Sequence, residues 1–273
     1  MTEASPPPAV QKSGQGAGGA QPPMVEMSHV RLAFCEKVIL TDLNLSVAPR
    51  ERLVIMGQSG GGKSTTLRLI LGILHPNSGS IKFKGEEVTR MTRSRLNRMR
   101  RRIGMVYQYS ALISSLSVHD NLALPLEELT EKSKKEIDAI VEEKLTMVGM
   151  EDTSCYMPAE LSGGMKKRIG LARALVLDPE LILFDEPSAG LDPVVSSVID
   201  ELIISLTDKT GATSIIVTHE MDSAFRIATR MAMLYQGKII EEDRPERFRK
   251  SSDPVVSQFV EGRTDGPIST TQT

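Results

Sequence analysis

The fold of this chain is decided by one short stretch, residues 57–64, which reads GQSGGGKS. It fits the spacing G-x-x-x-x-G-K-S/T and lies between an apolar run at 51–56 and a helical pattern from about 63 to 73. Glycines let backbone N–H groups wrap around phosphates, the lysine brings positive charge to the outer phosphates, and the serine hydroxyl can bind Mg²⁺. The predicted phosphate-binding residues are Gly57, Gln58, Ser59, Gly60, Gly61, Gly62, Lys63, Ser64 and Thr65.

Two more apolar runs end in polar residues. Residues 181–184 lead into Asp185, and residues 214–217 lead into Thr218 and His219. In open α/β sheets ligands bind at the carboxyl ends of the strands, so these polar residues are expected at one edge. We therefore predict an α/β fold with a P-loop NTPase (RecA-like) core.

The pair Asp185-Glu186 follows a predicted strand downstream of a phosphate loop. An isolated Asp-Glu pair is usually a solvated loop, but in this context Asp185 is expected to hold Mg²⁺ together with Ser64. Glu186 is expected to orient and polarise the attacking water. Glu186 and Lys63 are therefore the first catalytic candidates.

The stretch 109–161 has a helical texture and is predicted to be a helical subdomain inserted in the core. Thr130 or Ser133 can cap a helix there, and Glu136 would complete a capping box. Apolar residues then recur on one face from Ile137 to Val148, and Gly149 suits the helix end.

Composition narrows the function classes. The 273 residues carry 33 Lys and Arg against 35 Asp and Glu, so nothing chain-wide attracts nucleic acid. The only cysteines, Cys35 and Cys155, are too few for a disulfide framework or a zinc site, which favours a reducing cytosol. No apolar run reaches the 18 residues of a membrane span, and no secretory signal is expected at the first residues.

Two tails rich in small and polar residues (Pro, Gly, Ala, Gln and Ser) flank the predicted domain. Residues 1–23 are predicted to be a disordered tail, and residues 266–273 are expected to be equally loose. The ATPase domain is predicted at 24–242, with a C-terminal extension at 243–273.

A second anion site starts at residues 161–165, which read LSGGM and open a basic helix capped by Ser162. One ATP has no obvious use for two such sites within a monomer. Here the sequence resembles the ABC ATPase family. In that family the Ser-Gly-Gly signature of one subunit closes over the γ-phosphate held by its partner, which implies a second copy of the chain and assigns nucleotide contacts to Ser162, Gly163 and Gly164.

The resemblance covers about residues 24–242. Gln108 matches the family's Q-loop glutamine, which contacts Mg²⁺ and the lytic water, and residues 188–192 (SAGLD) match the D-loop. His219 matches the switch histidine that touches the γ-phosphate. Asp192-Pro193 also reads as a helix cap followed by a first-turn proline. Gln108 and His219 thus join the catalytic and nucleotide-binding candidates, and Gln108 the metal ligands.

Two positions depart from the family pattern. Met165 replaces the usual glutamine of the signature, and it offers no strong hydrogen-bonding group. Phe34 stands where a tyrosine usually stacks on adenine; stacking needs only a π face. The alternative for Phe34 is an ordinary residue of the strand core.

Met165 and three local stretches, 92–96, 107–112 and 258–262, resemble the ATPase subunit of Mla-type (MCE-associated) phospholipid transporters. The resemblance implies a membrane permease, an MCE-domain protein, phospholipid as cargo, and a peripheral position on the cytoplasmic face of the bacterial inner membrane.

Several alternatives stay open at this point. The arginine run at 93–102 is a solvated helix face or a contact for anionic headgroups or a permease. The apolar set at 254–262 packs on the chain's own core or on a partner. Other readings are an ABC transporter for an amino acid, ion or lipoprotein, a soluble ABC ATPase acting on DNA or ribosomes, and a P-loop kinase.

Overall fold

A computed structural model describes residues 21–268, which form two β-sheets and a set of flanking helices. The strands are β1 (Val25–Phe34), β2 (Lys37–Val47), β3 (Arg52–Met56), β4 (Ser78–Phe83), β5 (Glu86–Glu87), β6 (Ile103–Val106), β7 (Leu181–Asp185), β8 (Thr213–Val217), β9 (Arg230–Tyr235) and β10 (Lys238–Asp243). The helices are α1 (Lys63–Ile70), α2 (Arg93–Arg100), α3 (Val118–Leu129), α4 (Lys134–Met147), α5 (Gly163–Leu175), α6 (Pro193–Thr210), α7 (Met221–Ile227), α8 (Pro245–Phe248) and α9 (Pro254–Glu261).

The central sheet has six strands in the order β10-β9-β3-β8-β7-β6. All neighbouring pairs are parallel except β10 with β9. The three apolar runs of the sequence become the adjacent strands β3, β8 and β7, so their polar carboxyl ends lie side by side. The predicted α/β core is therefore confirmed.

Alternation along these buried strands divides the interior into two layers. Val54 and Met56 of β3 face a core layer built with helices α3 to α7. Leu53 and Ile55 face the opposite layer, which is closed by α1 and a second sheet. Both faces are apolar because a parallel sheet is covered on both sides.

The second sheet is antiparallel, in the order β2-β1-β4-β5, and it forms the β-rich N-terminal part that the sequence predicts. Its long hairpin β1–β2 also meets the central sheet, because the backbone N–H of Thr41 donates to the carbonyl of Gly237 (3.0 Å). This contact sets the hairpin beside the phosphate loop.

Helix α1 ends at Ile70, earlier than the predicted 73. Gly72 takes a left-handed φ of +62°, and the N–H of Ile73 returns to the carbonyl of Arg68 at 2.9 Å. This pairing closes the helix at its C-terminus.

The helical insert contains α3 and α4, and the capping box that opens α4 is present. The backbone N–H of Ser133 donates to a Glu136 carboxylate oxygen at 2.7 Å. Ile137, Val141 and Leu145 are buried as the periodicity predicts, and Gly149 ends the segment at φ +65°.

The C-terminal segment packs on the chain's own core, which settles the two alternatives left open for it. Val256 of α9 is fully buried, and Gln258 accepts from the N–H of Ile268 at 2.7 Å. The prediction that residues 266–268 are loose is therefore wrong, since Ile268 is itself buried. Of the rest of the predicted loose tails, residues 21–23 have no regular secondary structure, and residues 1–20 and 269–273 lie outside the described residues.

Within residues 21–268, no helix combines the length and apolarity that a bilayer crossing requires.

Candidate active site

The phosphate loop joins β3 to α1, and two of its glycines are required by their surroundings. Gly57 has a φ of +152°, and a Cβ at this position would lie 2.3 Å from the carbonyl oxygen of Leu234. Gly62 has a φ of +100° and lies against Leu40 and Ile39 of β2. A Cβ on Gly60 would meet no atom of the described residues within 4 Å, so the loop is open at this position. This is a cradle of backbone amides that a phosphate chain fits.

Lys63 is folded back over this cradle. Its Nζ donates to the carbonyls of Gly57 (2.8 Å) and Gln58 (3.0 Å), and only 7% of the residue is exposed. Burial lowers the pKa of Lys63 from its ordinary value, while the carboxylates of Glu186 and Asp185 act in the opposite direction. The ammonium is thus held over the loop by weak carbonyl partners that a phosphate oxygen can replace.

Ser64 and Asp185 meet across the sheet edge. The Ser64 hydroxyl donates to Asp185 Oδ1 at 2.7 Å, which places two hard oxygen ligands together. Mg²⁺ is usually held by one or two protein oxygens, with phosphates and waters completing its shell. The donor set therefore fits Mg²⁺ bound together with a nucleotide.

Glu186 stands in a strained backbone conformation, with a left-handed φ of +51°. His219 contacts the Glu186 carboxylate through two groups: the ring Nδ1 lies 2.9 Å from Oε1, and the backbone N–H donates to Oε2 at 3.3 Å. The carboxylate side chain is mostly buried, whereas the His219 side chain is 58% exposed. An ionised Glu186 accepting from Nδ1–H leaves the other ring nitrogen free to face a ligand.

Gln108 follows β6 and is half-buried. The structure ties its backbone to a residue that the sequence analysis did not single out, because Lys167 Nζ donates to the Gln108 carbonyl at 2.6 Å and to the Glu186 carbonyl at 3.2 Å. Helical spacing carried a signal for this, since Lys167 shares its face of α5 with the buried Gly170 and Leu171.

The residues Lys63, Ser64, Asp185, Glu186 and His219 are therefore joined by hydrogen bonds and proximity into one cluster, here called the phosphate half-site. The signature segment, residues 162–165, lies elsewhere. Ser162 is exposed and its hydroxyl accepts from the N–H of Met165 at 3.3 Å, which caps α5. A Cβ on Gly164 would lie 2.8 Å from Val195 Cγ1, so the segment borders the start of α6.

Met165 is half-buried and packs against the apolar core. Its side chain thus serves packing, and no polar role is left to it.

Phe34 ends β1 and is 48% exposed, so its interpretation as a strand-core residue is wrong. It pairs with Lys37 in the hairpin whose next residues, Ile39 and Leu40, touch Gly62 of the phosphate loop. An aromatic face is thus available on the hairpin that borders the loop.

A buried polar network behind the D-loop was not predicted. Ser188 Oγ donates to Glu220 (3.0 Å) and lies 3.3 Å from Ser223 Oγ, and Ser223 bonds to the fully buried Asp200. Arg226 donates to the other Asp200 oxygen at 2.6 Å, and burial raises the pKa of Asp200. A single acid in a helix normally reads as a solvated residue, so the sequence carried no signal for this network.

Residues 40–189 match the family described as ABC transporter. The chain is 40% identical to the intermembrane phospholipid transport system ATP-binding protein MlaF of Haemophilus influenzae over 90% of this chain and 93% of the relative. It is also 40% identical to the probable ribonucleotide transport ATP-binding protein mkl of Mycobacterium bovis over 89% of this chain and 68% of that protein.

Among solved structures, a dimeric ATP-binding cassette in a post-hydrolysis state with ADP and Pi superposes with a TM-score of 0.74. It is 31% identical to this chain, and the match covers 81% of this chain and 99% of the cassette. The resemblance found in the sequence motifs is thereby confirmed: the chain belongs to the ABC transporter family and carries that family's ATPase cassette.

Proposed function

We propose that this chain is the ATPase of a phospholipid transporter of the Mla type, working as two copies around two Mg-ATP molecules. The observation that carries the ATPase assignment is the phosphate half-site, in which Lys63, the Ser64–Asp185 pair and the His219-held Glu186 converge. Phospholipid as cargo is supported by the match to MlaF, which extends over 93% of that relative, against 68% of mkl.

In this proposal each residue has a definite task. Backbone amides of residues 57–62 and the Lys63 ammonium bind the β- and γ-phosphates, and Ser64, Asp185 and Gln108 hold Mg²⁺. Bound Mg²⁺ would neutralise charge that develops on the phosphate oxygens. Glu186 accepts the proton of the water that attacks the γ-phosphate, and His219 keeps the carboxylate aimed and contacts the γ-phosphate.

The remaining contacts to the nucleotide come from two other places. Phe34 stacks on adenine, and Ser162, Gly163 and Gly164 of the second copy cover the γ-phosphate. The exposed N-terminus of α5 supports this assignment. Its N–H groups and helix dipole favour an anion, and the phosphate half-site of the same chain does not place an anion there.

The permease contact is proposed for the groove between the core and the helical insert. This cavity of about 350 Å³ has Tyr107, Ile113 and Leu129 on its lining, and each of these is at least 36% exposed. Its occupant would be a short amphipathic helix of the permease. The apolar face of such a helix would bury these exposed side chains, and a contact beside Gln108 would connect the permease to the phosphate half-site.

The same proposal gives the domain limits and the location. Residues 24–242 form the ATPase domain with 109–161 as the helical subdomain, and residues 243–273 form the C-terminal extension. The chain sits peripherally on the cytoplasmic face of the inner membrane, bound to a permease and an MCE-domain protein, without nucleic acid. The alternative cargo is an amino acid, an ion or a lipoprotein.

Co-purification with a tagged full-length copy tests the partners. Recovery of a polytopic permease and a single-span MCE protein is the expected result, whereas recovery of ribosomes or DNA would refute the transporter assignment.

Reconstitution of the recovered complex in proteoliposomes tests the cargo. We expect Mg-ATP to drive transfer of a fluorescent phospholipid by the wild-type complex and not by a Glu186→Gln complex. Transfer of an amino acid or ion, without phospholipid, would replace the cargo and leave the ATPase assignment intact.

A further inference from the structure

Lys167 is a buried cation with an unusual set of partners. It lies on α5, five residues after Ser162, and is 6% exposed. Its ammonium donates to two backbone carbonyls, those of Gln108 and Glu186, and within residues 21–268 no carboxylate lies at ion-pair distance from it. Burial lowers the pKa of Lys167, while the more distant carboxylates of Glu220 and Glu186 act in the opposite direction. A buried ammonium whose hydrogen bonds all go to carbonyls is costly, which suggests a role beyond packing.

The two carbonyls belong to two residues of the proposed reaction. Gln108 follows β6 by two residues, and Glu186 has a left-handed backbone and a carboxylate bonded to His219. One ammonium therefore fixes the backbone of both residues to the same helix.

Arg173, nearly two turns further along α5, continues this attachment. Its guanidinium donates to the carbonyls of Ser110 and Ala111, both at 2.7 Å. Ser110 and Ala111 have φ values of +59° and +48°, a conformation that non-glycine residues rarely adopt without support. Helix α5 thus holds three carbonyls of the segment 108–111.

We propose that Lys167 is a positioning residue that couples the signature segment to Glu186 and Gln108 of the same chain. When Ser162 engages the nucleotide of a second copy, α5 transmits its position through the Lys167 ammonium to the two carbonyls. Assembly around ATP at one site thereby sets the catalytic geometry at the other. This inference rests on the proposed function.

The test uses the full-length chain in the recovered complex, with two replacements whose side chains are close to lysine in length, Lys167→Met and Lys167→Arg. For Lys167→Met we expect kcat for ATP hydrolysis to fall by about tenfold or more, with the Kd for ATP within about twofold of wild type, because a misplaced group affects the chemical step more than binding. The Hill coefficient for ATP should fall toward 1. Lys167→Arg keeps a donor and should recover most of kcat and of the cooperativity.

Lys144→Met is the matched structural control. Lys144 is also buried and bridges elements, donating to Asp178 at 2.8 Å, but it lies outside the phosphate half-site. We expect it to lower the Tm without changing kcat per folded molecule. If Lys167→Met behaves like Lys144→Met, or if Lys167→Arg gives no rescue, the positioning role is refuted. A recovered wild-type complex that does not hydrolyse ATP would instead refute the proposed function.

Discussion

The phosphate half-site and the signature segment differ in where their polar groups find partners. In the half-site, Ser64 bonds to Asp185 and His219 to Glu186, so side chains from separate strands satisfy one another. In the signature segment the Ser162 hydroxyl accepts only from its own helix and remains exposed. The first region is nearly complete within one chain, whereas no side chain among residues 21–268 is seen to fill the anion site that the second region offers.

Under the proposed function, this difference means that one chain supplies the phosphate half-site of a nucleotide site and a second copy supplies the signature segment. Loss of a phosphate contact in the half-site should already weaken ATP binding by a single chain, whereas changes in the signature segment should act only on the assembly of two chains.

The largest effect is expected for Glu186→Gln. The amide keeps an oxygen that can accept from His219 but cannot take a proton, so turnover of ATP should fall by about a hundredfold or more. The Kd for ATP, measured by titration with a fluorescent analogue, should stay within about threefold. Near-normal turnover would remove Glu186 from its assigned role.

Lys63→Ala should weaken ATP binding by about 10- to 100-fold, since charge-assisted hydrogen bonds to phosphate are lost. The same titration measures it on the isolated chain. Lys134→Ala, which removes an exposed lysine at the start of α4, serves as the control and should leave the Kd unchanged. An unaltered Kd in Lys63→Ala would mean that the loop lysine does not reach the phosphates.

Ser162→Tyr tests the role of the signature segment. In a Glu186→Gln background, where ATP is not consumed, the ATP-dependent dimer seen by light scattering should weaken by about tenfold, because a ring replaces the small capping hydroxyl. ATP binding to the single chain should not change. Ser162→Thr keeps the cap and should dimerise normally; intact dimerisation of the tyrosine variant would disprove the division between chains.

The smallest effect concerns stability away from both regions. Arg102 and Lys84 lower the pKa of Glu180 from 4.5 to about 2, with Arg102 the larger cause. Because the folded-state pKa is depressed, the stabilisation is present above pH 4.5 and is lost as the pH falls toward 2. Glu180 is more than a third exposed, so after solvent screening we expect Glu180→Gln to lower the free energy of unfolding at pH 7 by about 1 kcal/mol.

Urea unfolding at pH 7 and pH 3.5 measures this difference. The gap between wild type and Glu180→Gln should be narrower at pH 3.5, with ATP turnover at pH 7 unaffected. A gap that widens in acid would contradict the ion-pair explanation.

Much of the fold followed from local patterns. The loop at 57–64 between an apolar run and a helical run specifies a strand, a glycine turn and a helix, because each depends on residues a few positions apart. The capping box at Ser133 and the cap at Asp192 are local in the same sense, and both are present, with Asp192 accepting from the N–H groups of Val194 and Val195. The end of α1 was misjudged although its cause is local, namely the left-handed Gly72 and the return of the Ile73 N–H to Arg68. The packing of Ile268 was misjudged because it depends on a tertiary contact with Gln258 of α9.

By itself, the sequence determined which side chains are the candidates for the chemistry: a lysine and serine after the glycines, two acids after one strand and a histidine after another. Only the tertiary structure decided how they are held. The left-handed backbone of Glu186 leaves no mark in the sequence. Helical spacing places Lys167 on a buried face of α5, but it does not say which two carbonyls the ammonium reaches. The reason is physical: a carbonyl acceptor is present at every residue, so the fold alone selects which ones a distant side chain will reach.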